Sequence, residues 1–471
     1  MSEQNHPMTV GGKDVHTIDT FEVRNPATGR VFAQAPDCSP AQLDDAVQAA
    51  ADAFPLWRDD IDARRSTLLA AAARVEESAE ELATLLTLEQ GKPLADARFE
   101  VMVTAMTLRG TAALDLPREV IRDDDQERIE VLHQPMGVVA AITPWNVPLV
   151  LAASKYAPAL LAGNTVVLKP SPFTPLSSLA LGVVLRDALP PGVLNVVSGQ
   201  DPLGAQLAAH PAVRKVSFTG SVAAGKHVAA SAAPDLKRIT LELGGNDAGI
   251  LLDDVDLDAM ADKLFWGAFV NCGQICAAMK RLYVPRARYT EVVDALADRA
   301  RSVQVGDGML PGVQMGPLAT APQFARVQEL VSDALAGGAT AAAGGRRLDG
   351  DGYFFAPTIL RDLEDGLRVV DEEQFGPVLP VIPYDDVEDA VARANSTHFG
   401  LDGSVWSADP ERAAAVAARL ECGTSWVNTH GMPAPGVPFS GHKWSGLGVA
   451  GGLAGLLSYT DTKVLHVVRG S

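Results

Sequence analysis

Short apolar runs alternate with longer amphipathic stretches along the first half of the chain. From residue 40 to residue 90, alanine, leucine, glutamate and arginine recur at helical spacing, which predicts a helical pair that ends at Gly91. The runs IEVLHQ and GVVAAIT then predict strands, with the acidic run 123–125 as a turn. A helix over about 147–162 follows, and TVVLKPS predicts a buried strand that ends in a proline-rich turn.

The same alternation continues to the end of the chain. The further helices are predicted over 176–188, 203–209, 222–232, 256–271 and 288–303. They alternate with the strands LNVVSG, VRKVSFTG, RITLELGG, ILLDD and RLYVP, so we expect parallel sheets covered by helices on both faces. A second α/β series begins at residue 249. The final run KVLHVVR predicts a strand that pairs with another part of the chain or with another subunit.

Length and charge narrow the class of protein. The 471 residues are enough for two or three domains with substantial cores. The formal net charge of −19, with no basic block to offset it, argues against nucleic acid or an anionic membrane surface as a partner. The first twenty residues resemble neither a signal peptide nor an anchor, and prolines and a lysine interrupt the longest apolar stretch, 138–162. We therefore expect a cytoplasmic protein whose four cysteines stay reduced.

Two of the four cysteines stand four residues apart in NCGQICAAMKR, residues 271–281. Zinc would need a second pair of ligands at a familiar spacing, and the sequence offers none. A disulfide between positions four apart on a helix is geometrically poor and is disfavoured in the cytoplasm. Two readings stay open: a pair of buried structural cysteines, or a reactive thiol at Cys276, which the turn-like NCGQ segment favours.

Three further features could carry chemistry, and each also has a structural explanation. Gly220 and Gly225 in SFTGSVAAGKH follow a strand and open a helix, where phosphate can bind, but a tight turn explains them equally well. Lys169 stands at the carboxyl end of a strand, where open α/β sheets bind ligands, and a lysine there is more often solvated. Glu242 ends an apolar strand and suits a general base or a salt-bridge partner.

Six motifs in one order carry a resemblance to a known family. They are TPWN at 143–146, VVLKPS at 166–171, FTGS at 218–221, ELGG at 242–245, GQIC at 273–276 and EEQFGPV at 372–378. In this order and spacing the chain resembles the NAD(P)-dependent aldehyde dehydrogenase superfamily, from about residue 20 to the end. The resemblance implies an α/β fold with two Rossmann-type domains and a β bridging element for oligomerisation.

The resemblance also implies roles for individual residues. Cys276 matches the family nucleophile, and Cys272 becomes its structural neighbour. Asn146 matches the amide that stabilises the oxyanion together with the N–H of Cys276, and Glu242 matches the general base. The positions that match cofactor contacts are Thr143, Pro144, Trp145, Lys169, Ser171, Gly220, Ser221, Leu243, Glu373 and Phe375. The implied reaction forms a thioester on the cysteine, which water hydrolyses to the acid.

Two departures from the family pattern bear on this expectation. Pro172 stands where many members have a glutamate that repels a 2′-phosphate, so we expect NAD as cofactor with NADP tolerated. Val449 and Ala450 replace an arginine and a glutamate, and that glutamate is often assigned a supporting role in proton transfer. We expect acid production to remain and thioester hydrolysis to be slower. No metal is expected.

The residues that the resemblance places along the aldehyde channel are small or aliphatic. They are Val147, Leu151, Ser154, Ile275 and Ala277. None is a cation, which favours an apolar aliphatic or aromatic aldehyde over one that bears a carboxylate. The channel also depends on the loop 429–437, which does not match the family.

The expected organisation has three parts. We assign 1–112 and 135–244 to a cofactor-binding domain, 245–445 to a catalytic domain, and 113–134 with 446–471 to a bridging element. Unpaired edges in that element lead us to expect a homodimer or homotetramer.

Three competing functions remain. A CoA-acylating enzyme of the same family would not need the base Glu242. A cysteine hydrolase would need a histidine near the thiol, and none lies in 242–281. A non-catalytic homologue is disfavoured because nucleophile, amide and base are all present.

Overall fold

The computed structural model describes residues 6–431, 434 and 436–469, and in them helices alternate with strands. Within these ranges no helix is both long enough and apolar enough to cross a membrane. The helices are α1 (Pro40–Trp57), α2 (Ile61–Glu77), α3 (Ala79–Gln90), α4 (Leu94–Ala112), α5 (Pro148–Leu161), α6 (Leu176–Arg186), α7 (Leu203–Ala209), α8 (Val222–Ala232), α9 (Leu257–Phe269), α10 (Tyr289–Ser302), α11 (Ala321–Ala336), α12 (Arg368–Asp371), α13 (Val387–Asn395), α14 (Pro410–Ala417) and α15 (Gly452–Leu457).

The strands form two large and two small sheets. They are β1 (Met8–Val10), β2 (Lys13–Val15), β3 (Thr20–Asn25), β4 (Arg30–Pro36), β5 (Glu119–Asp123), β6 (Glu127–Pro135), β7 (Val138–Ile142), β8 (Thr165–Lys169), β9 (Leu194–Val196), β10 (Val213–Thr219), β11 (Arg238–Glu242), β12 (Asp247–Leu251), β13 (Met279–Pro285), β14 (Thr340–Ala343), β15 (Thr358–Arg361), β16 (Val378–Tyr384), β17 (Asp402–Trp406), β18 (Thr424–Val427), β19 (Gly446–Leu447) and β20 (Thr460–Val468).

The predicted helical pair between residues 40 and 90 is wrong, because three helices occupy this segment. Asp60 starts α2 by accepting hydrogen bonds from the N–H groups of Asp62 (3.0 Å) and Ala63 (2.9 Å). The expected stop is confirmed: Gly91 follows α3 with a φ of 98°, a conformation that favours glycine. The remaining predicted helices are confirmed, with ends shifted by no more than two residues.

The first large sheet has the order β19-β11-β10-β7-β8-β9-β1-β2. Its central strands, β11, β10, β7, β8 and β9, are parallel, as the sequence predicts. Because β7 and β8 are buried at every position, they read as unbroken apolar runs instead of alternating ones. The carboxyl ends of the central strands therefore lie along one edge of the sheet.

The second large sheet has the order β14-β15-β16-β13-β12-β17-β18. All of its neighbours are parallel except the edge pair β14 and β15. Each large sheet has its own hydrophobic core: one is built from residues of 8–243 and from Leu456 and Tyr459, the other from residues of 248–417. The polypeptide thus returns to the first core at its end.

The last long strand pairs within the chain. β20 runs antiparallel to β6 from Thr460 opposite Pro135 to Val468 opposite Glu127, and β5 pairs with the other edge of β6. Of the two partners that the sequence left open for this strand, the structure shows the one in the same chain. The hairpin and the final strand together form the small sheet β20-β6-β5.

A buried ion pair fixes the segment that leads to the crevice between the two cores. The ammonium of Lys92 contacts the carboxylate of Glu100 in α4, and the two residues are 4% and 3% exposed. Lys92 also donates to the backbone oxygen of Asn146 at 3.0 Å. Glu100 accepts from the N–H of Leu149 in the first turn of α5 at 2.9 Å. The pair therefore joins α4 to the start of α5.

Glu100→Ala is expected to destabilise the protein by about 3–5 kcal/mol, because the Lys92 ammonium would stay buried without its carboxylate. The loss should appear as a lower urea midpoint in fluorescence-monitored unfolding at pH 7.5. A matched control is Glu80→Ala, which breaks the pair with Arg98 on the surface and should leave the midpoint almost unchanged. Equal midpoints for Glu100→Ala and wild type would contradict this account.

Candidate active site

Four parallel strands of the first sheet end side by side at the polar residues that the sequence singled out. β11 ends at Glu242, β10 ends just before Gly220, β7 ends just before Thr143, and β8 ends at Lys169. Their order in the sheet is β11-β10-β7-β8. Since neighbouring strands are about 4.8 Å apart, Glu242 and Lys169 mark two points separated by about 14 Å along the same edge.

Cys276 lies in a turn between α9 and β13. The turn begins with three successive residues at positive φ, Asn271 (52°), Cys272 (61°) and Gly273 (69°). Non-glycine residues adopt this region at an energetic cost, which is typical of functional turns. A Cβ at Gly273 would meet the Gly376 oxygen at 2.1 Å. The turn separates the two thiols: Cys272 is 2% exposed in the second core, whereas Cys276 is partly exposed.

Asn146 connects the first sheet to this turn. Its side-chain amide donates to the Gln274 oxygen at 2.9 Å, and its backbone oxygen accepts from the Asn271 amide at 3.0 Å. The Asn146 side-chain oxygen is buried and has no hydrogen-bond partner among the described residues. In the same set of residues nothing accepts a hydrogen bond from the N–H of Cys276. The Asn146 amide therefore contacts the turn that carries the partly exposed thiol, and the N–H of Cys276 has no acceptor among the described residues.

Glu242 is a buried carboxylate without a partner. It is 6% exposed, and neither of its oxygens accepts a hydrogen bond from any described residue. Burial raises the pKa of Glu242 to about 8; the ammonium of Lys155 opposes this rise and the carboxylate of Asp402 adds to it. An acid with such a pKa can hold or release a proton near neutral pH.

Lys155 in α5 is a buried cation that the sequence analysis missed. It is 3% exposed, and its ammonium lies 3.5 Å from the hydroxyl oxygen of Ser217. Burial lowers the pKa of Lys155 to about 8, whereas Glu242 and Cys276 both favour its charged form. The available signal was a lone lysine in the apolar helix run VPLVLAASKYAPALL.

Lys280 is the second cation near the thiol that the sequence did not reveal. Burial raises the pKa of the Cys276 thiol to about 12, and Lys280 lowers it. The Lys280 ammonium donates to the backbone oxygen of Cys276 at 2.6 Å. A lysine beside an arginine at the start of a fully buried strand, MKRLYVP, was the signal in the sequence.

Lys169 and Ser171 lie at the far end of the strand edge from Glu242. Lys169 is 5% exposed, and its ammonium makes no hydrogen bond or ion pair with the described residues. Burial lowers its pKa, while Asp201 and Asp37 act in the opposite direction. The Ser171 hydroxyl accepts from the N–H of Phe173 at 3.3 Å. A buried ammonium without a partner is suited to binding the hydroxyl groups of a ligand.

The junction between β10 and α8 has the features of a phosphate site. Ser221 caps α8 by accepting from the N–H of Ala224 at 3.2 Å, so the positive end of the helix dipole faces the strand ends. Gly225 lies inside α8, where a Cβ would meet the Leu243 side chain at 2.5 Å. A Cβ at Gly220 would meet the ring of Phe218, also at 2.5 Å. Both glycines therefore allow close packing at this junction.

Three further predicted cofactor residues lie between the two sheets: Trp145, Glu373 and Phe375. The ring of Trp145 packs edge-to-face on Phe375, with 5.4 Å between centroids, and Phe375 has a φ of 49°. The Glu373 carboxylate accepts from the N–H of Gly245 at 3.1 Å and lies 3.6 Å from the Lys280 ammonium. Burial raises the pKa of Glu373.

Thr143 and Pro144 begin the segment that leads from β7 to Asn146. Thr143 is 3% exposed, its N–H donates to the Lys169 backbone oxygen at 3.1 Å, and its hydroxyl has no partner among the described residues. Pro144 is half-buried beside it. The free hydroxyl of Thr143, the free ammonium of Lys169 and the first turn of α8 lie in one row along the strand ends. This set of hydrogen-bond donors fits a dinucleotide bound across those ends.

The walls around Cys276 are apolar. Ile275, Ala277 and Leu401 form a small buried cluster, and Val147 packs against it. Phe439, which the sequence analysis missed, completes the wall. Leu151 and Ser154 are half-buried one and two turns along α5. Residues 432, 433 and 435 of the loop 429–437, on which the channel was expected to depend, lie outside the described residues.

The described part of the chain contains no group of three or more His, Cys, Asp and Glu side chains arranged to hold a metal ion. Its four cysteines are free thiols.

Comparisons with known proteins match nearly the whole chain to one enzyme family. The sequence model of the aldehyde dehydrogenase family matches residues 14–465. A putative aldehyde dehydrogenase of Gibberella fujikuroi is 40% identical over 461 residues, which are 98% of this chain and 98% of that protein. The NADP(+) succinate-semialdehyde dehydrogenase of Escherichia coli is 38% identical, covering 96% and 95% of the two chains.

A solved structure is similar over nearly the whole length of the chain. The NAD+ complex of an aldehyde dehydrogenase from Bacillus cereus has a TM-score of 0.97 and is 37% identical, covering 99% of this chain and 97% of that one. The expected fold class, with its two parallel α/β units, is therefore confirmed.

Glu242→Gln is expected to raise the thermal unfolding midpoint more at pH 9 than at pH 6. The folded carboxyl has a pKa of about 8, above its ordinary value of 4.5, so wild type loses stability as the pH rises through this range, while glutamine never ionises. Scanning calorimetry at both pH values measures the difference. The exposed control Glu364→Gln should shift neither midpoint; equal gains for Glu242→Gln at both pH values would refute the assigned burial cost.

Proposed function

The chain belongs to the aldehyde dehydrogenase family, and we propose that it oxidises its aldehyde to the carboxylic acid through a covalent intermediate on Cys276. As a member of this family it is an NAD(P)-dependent oxidoreductase. The observation that carries the proposal is a partly exposed thiol in a turn that the Asn146 amide contacts, with Lys155 in electrostatic range of both this thiol and the buried, unpartnered carboxylate of Glu242. The roles of single residues below are our assignments.

The first assigned step is attack by the Cys276 thiolate on the aldehyde carbon. The carbonyl oxygen then becomes an alkoxide, which needs hydrogen-bond donors in a dry site. We assign this role to the Asn146 amide and the N–H of Cys276. The structure supports the assignment because the amide is held 2.9 Å from the Gln274 oxygen, within the same turn as the thiol.

The second step converts the adduct to a thioester. NAD(P), when bound, would supply the acceptor for the hydride that the substrate carbon loses. We assign Lys169, Ser171, Gly220 and Ser221 to the ribose and phosphate end of the cofactor. Thr143, Pro144, Trp145, Leu243, Glu373 and Phe375 are assigned to the strand ends and to the nicotinamide end.

The last step is hydrolysis of the thioester. Glu242 takes a proton from water, the oxygen adds to the acyl carbon, and the Cys276 sulfur leaves as the thiolate, so the acid is released and the thiolate is restored; Glu242 then gives its proton to solvent. Lys155, within electrostatic range of both Glu242 and Cys276, keeps part of the carboxyl group ionised. The slower hydrolysis expected from Ala450 stays a prediction.

We propose an apolar aliphatic or aromatic aldehyde as the substrate. The apolar wall of Val147, Ile275, Ala277 and Phe439 supports this choice, because it has no cation to pair with a carboxylate. Some relatives are named for aldehydes that carry a carboxylate, among them succinate semialdehyde.

We also propose the domain division given above. The separate cores and the small sheet β20-β6-β5 support it, although β19, Leu456 and Tyr459 of the bridging element join the first sheet and the first core. The exposed apolar residues Val464, Val467 and Val468 of β20 support a homodimer or homotetramer. A cytoplasmic location is proposed on the sequence alone.

Cys276→Ala is expected to abolish aldehyde-dependent reduction of NAD and NADP while the variant still binds cofactor. The reason is that alanine cannot form the thioester. A panel of aliphatic, aromatic and carboxylate-bearing aldehydes, followed by the absorbance of the reduced cofactor with NAD and NADP and with or without CoA, provides the measurement. Cofactor binding is followed separately by calorimetry.

Cys272→Ala is the matched control for this experiment. It removes the neighbouring buried thiol and should retain turnover. Turnover by Cys276→Ala, or its loss only in Cys272→Ala, would overturn the nucleophile assignment. Formation of acyl-CoA instead of the free acid would favour the CoA-acylating alternative.

Asp37→Asn is expected to raise kcat/KM with NADP, relative to NAD, by about three- to tenfold, because a negative charge near the cofactor's 2′-phosphate is removed. The Asp37 carboxylate accepts from the N–H of Gln200 at 3.2 Å and favours the charged form of Lys169, which places it near the proposed ribose site. Initial rates with both cofactors give the ratio. Asp45→Asn is a control of equal charge, and an unchanged ratio in Asp37→Asn would exclude this cause of NAD preference.

A further inference from the structure

The Lys280 ammonium lies directly beneath the turn that carries Cys276. Its side chain is 3% exposed. It donates to the backbone oxygens of Ile275 at 2.9 Å, Cys276 at 2.6 Å and Ala278 at 3.2 Å. A lysine has three N–H groups, and all of them are used to hold consecutive parts of one turn.

Three acids interact electrostatically with this ammonium. The Glu373 carboxylate lies 3.6 Å from it. Asp247 and Asp402, 2% and 4% exposed, begin the neighbouring parallel strands β12 and β17. The N–H of Asp402 donates to Asp247 Oδ1 at 3.1 Å, and the Trp426 indole donates to Asp402 Oδ2 at 2.9 Å.

The second oxygens of the two aspartates have no donor. Asp247 Oδ2 and Asp402 Oδ1 are buried and make no hydrogen bond with the described residues. The neighbouring cation Arg281 does not serve them, because its guanidinium donates to the backbone oxygens of Asn246 and Ala394. Among the described residues, Lys280 is therefore the cation that acts on both of these carboxyl groups and on the thiol.

The effects of these groups on the thiol have opposite signs. The ammonium of Lys280 lowers the pKa of Cys276, whereas Glu373, Asp402 and Asp247 raise it. In a site with little water such charges act strongly over a few ångströms.

We propose that Lys280 is a positioning residue for the Cys276 nucleophile, and that Asp247 and Asp402 limit how far its charge favours the thiolate. This proposal rests on the proposed function, in which Cys276 attacks the aldehyde. The proposal adds that buried charged groups beneath Cys276 control the reactivity of its thiol.

The other charged groups around the thiol are part of the test. The groups that face Cys276 from the packed elements are Lys155 of α5, Glu242 of β11, Asp247 of β12, Lys280 of β13, Asp402 of β17 and Glu373 before β16. His430 lies near Lys280, and burial lowers its pKa to about 3, so it stays neutral in the range tested.

The experiment measures the rate at which iodoacetamide alkylates Cys276 between pH 6 and pH 10 in the full-length protein without cofactor. Peptide masses separate this thiol from the other three. Lys280→Met should react about tenfold more slowly than wild type at pH 8, because a tenfold smaller thiolate fraction corresponds to one pKa unit. Lys280→Arg keeps the positive charge and should recover most of the rate.

Asp402→Asn should change the rate in the opposite direction. Burial raises the pKa of Asp402 to about 7, so wild type carries the opposing charge at pH 8 but little of it at pH 6. We therefore expect about threefold faster alkylation in Asp402→Asn at pH 8 and nearly equal rates at pH 6. Asparagine retains an oxygen for the Trp426 indole, which limits structural damage.

Lys237→Met is the matched control for loss of a buried lysine. The Lys237 ammonium donates to the backbone oxygens of Ala208 (2.9 Å) and His210 (2.7 Å) in the first core region. This variant should lower the thermal midpoint without moving the pH profile of alkylation. A structural role for Lys280 alone predicts the same result for Lys280→Met.

The outcomes decide between the explanations. An unchanged profile in Lys280→Met, or slower alkylation in Asp402→Asn at pH 8, overturns the proposal. If Lys280→Met does not fold, Asp402→Asn and Lys280→Arg carry the test, and Asp402→Asn equal to wild type at pH 8 overturns it. The proposed function fails separately, if Cys276→Ala retains turnover.

Discussion

Exclusion of water from ionisable groups around Cys276 is the constraint on which the rest of the structure depends. Glu242, Lys155 and Lys280 are each at least nine-tenths buried, and burial shifts the first two towards neutrality. A hydrated site would leave Glu242 and Lys155 near their ordinary pKa values and would weaken the electric field between the charged groups. The two hydrophobic cores keep the site dry, and the polar contacts of Asn146 hold the two sides in register.

Much of the fold could be predicted, because between residues 147 and 303 the spacing of the apolar residues and the positions of glycine and proline indicate the same helices and strands. The helices of 40–90 were undercounted because an alanine-rich run has no interruption at Ser78, where α2 passes into α3. β16 shows why the region beyond 303 is harder: VLPVIPY contains two prolines, which sequence rules place at the edge of a sheet, yet the strand lies inside one. Tertiary packing outweighs local preference there.

The candidate site was only partly predictable. Cys276, Glu242 and Asn146 stand in short motifs whose spacing along the chain is itself informative. Lys155 and Lys280 could not be recognised in this way, because what makes them special is a neighbour far away in sequence: Ser217 for the first, and the acids of β12 and β17 for the second. A buried charge is identified by its surroundings, and these exist only after folding.

The end of the chain returns to the core that is synthesised first. β19 pairs with β11 beside Glu242, the N–H of Leu243 donates to the Ser445 oxygen at 2.8 Å, and Leu456 and Tyr459 fill the first core. During translation the amino-terminal half therefore leaves the ribosome with an open sheet edge beside β11, which closes only after β19, Leu456 and Tyr459 have been synthesised. Nascent chains are accordingly candidates for chaperone protection, and a truncation before β19 would deprive the first sheet of an edge strand and the first core of Leu456 and Tyr459.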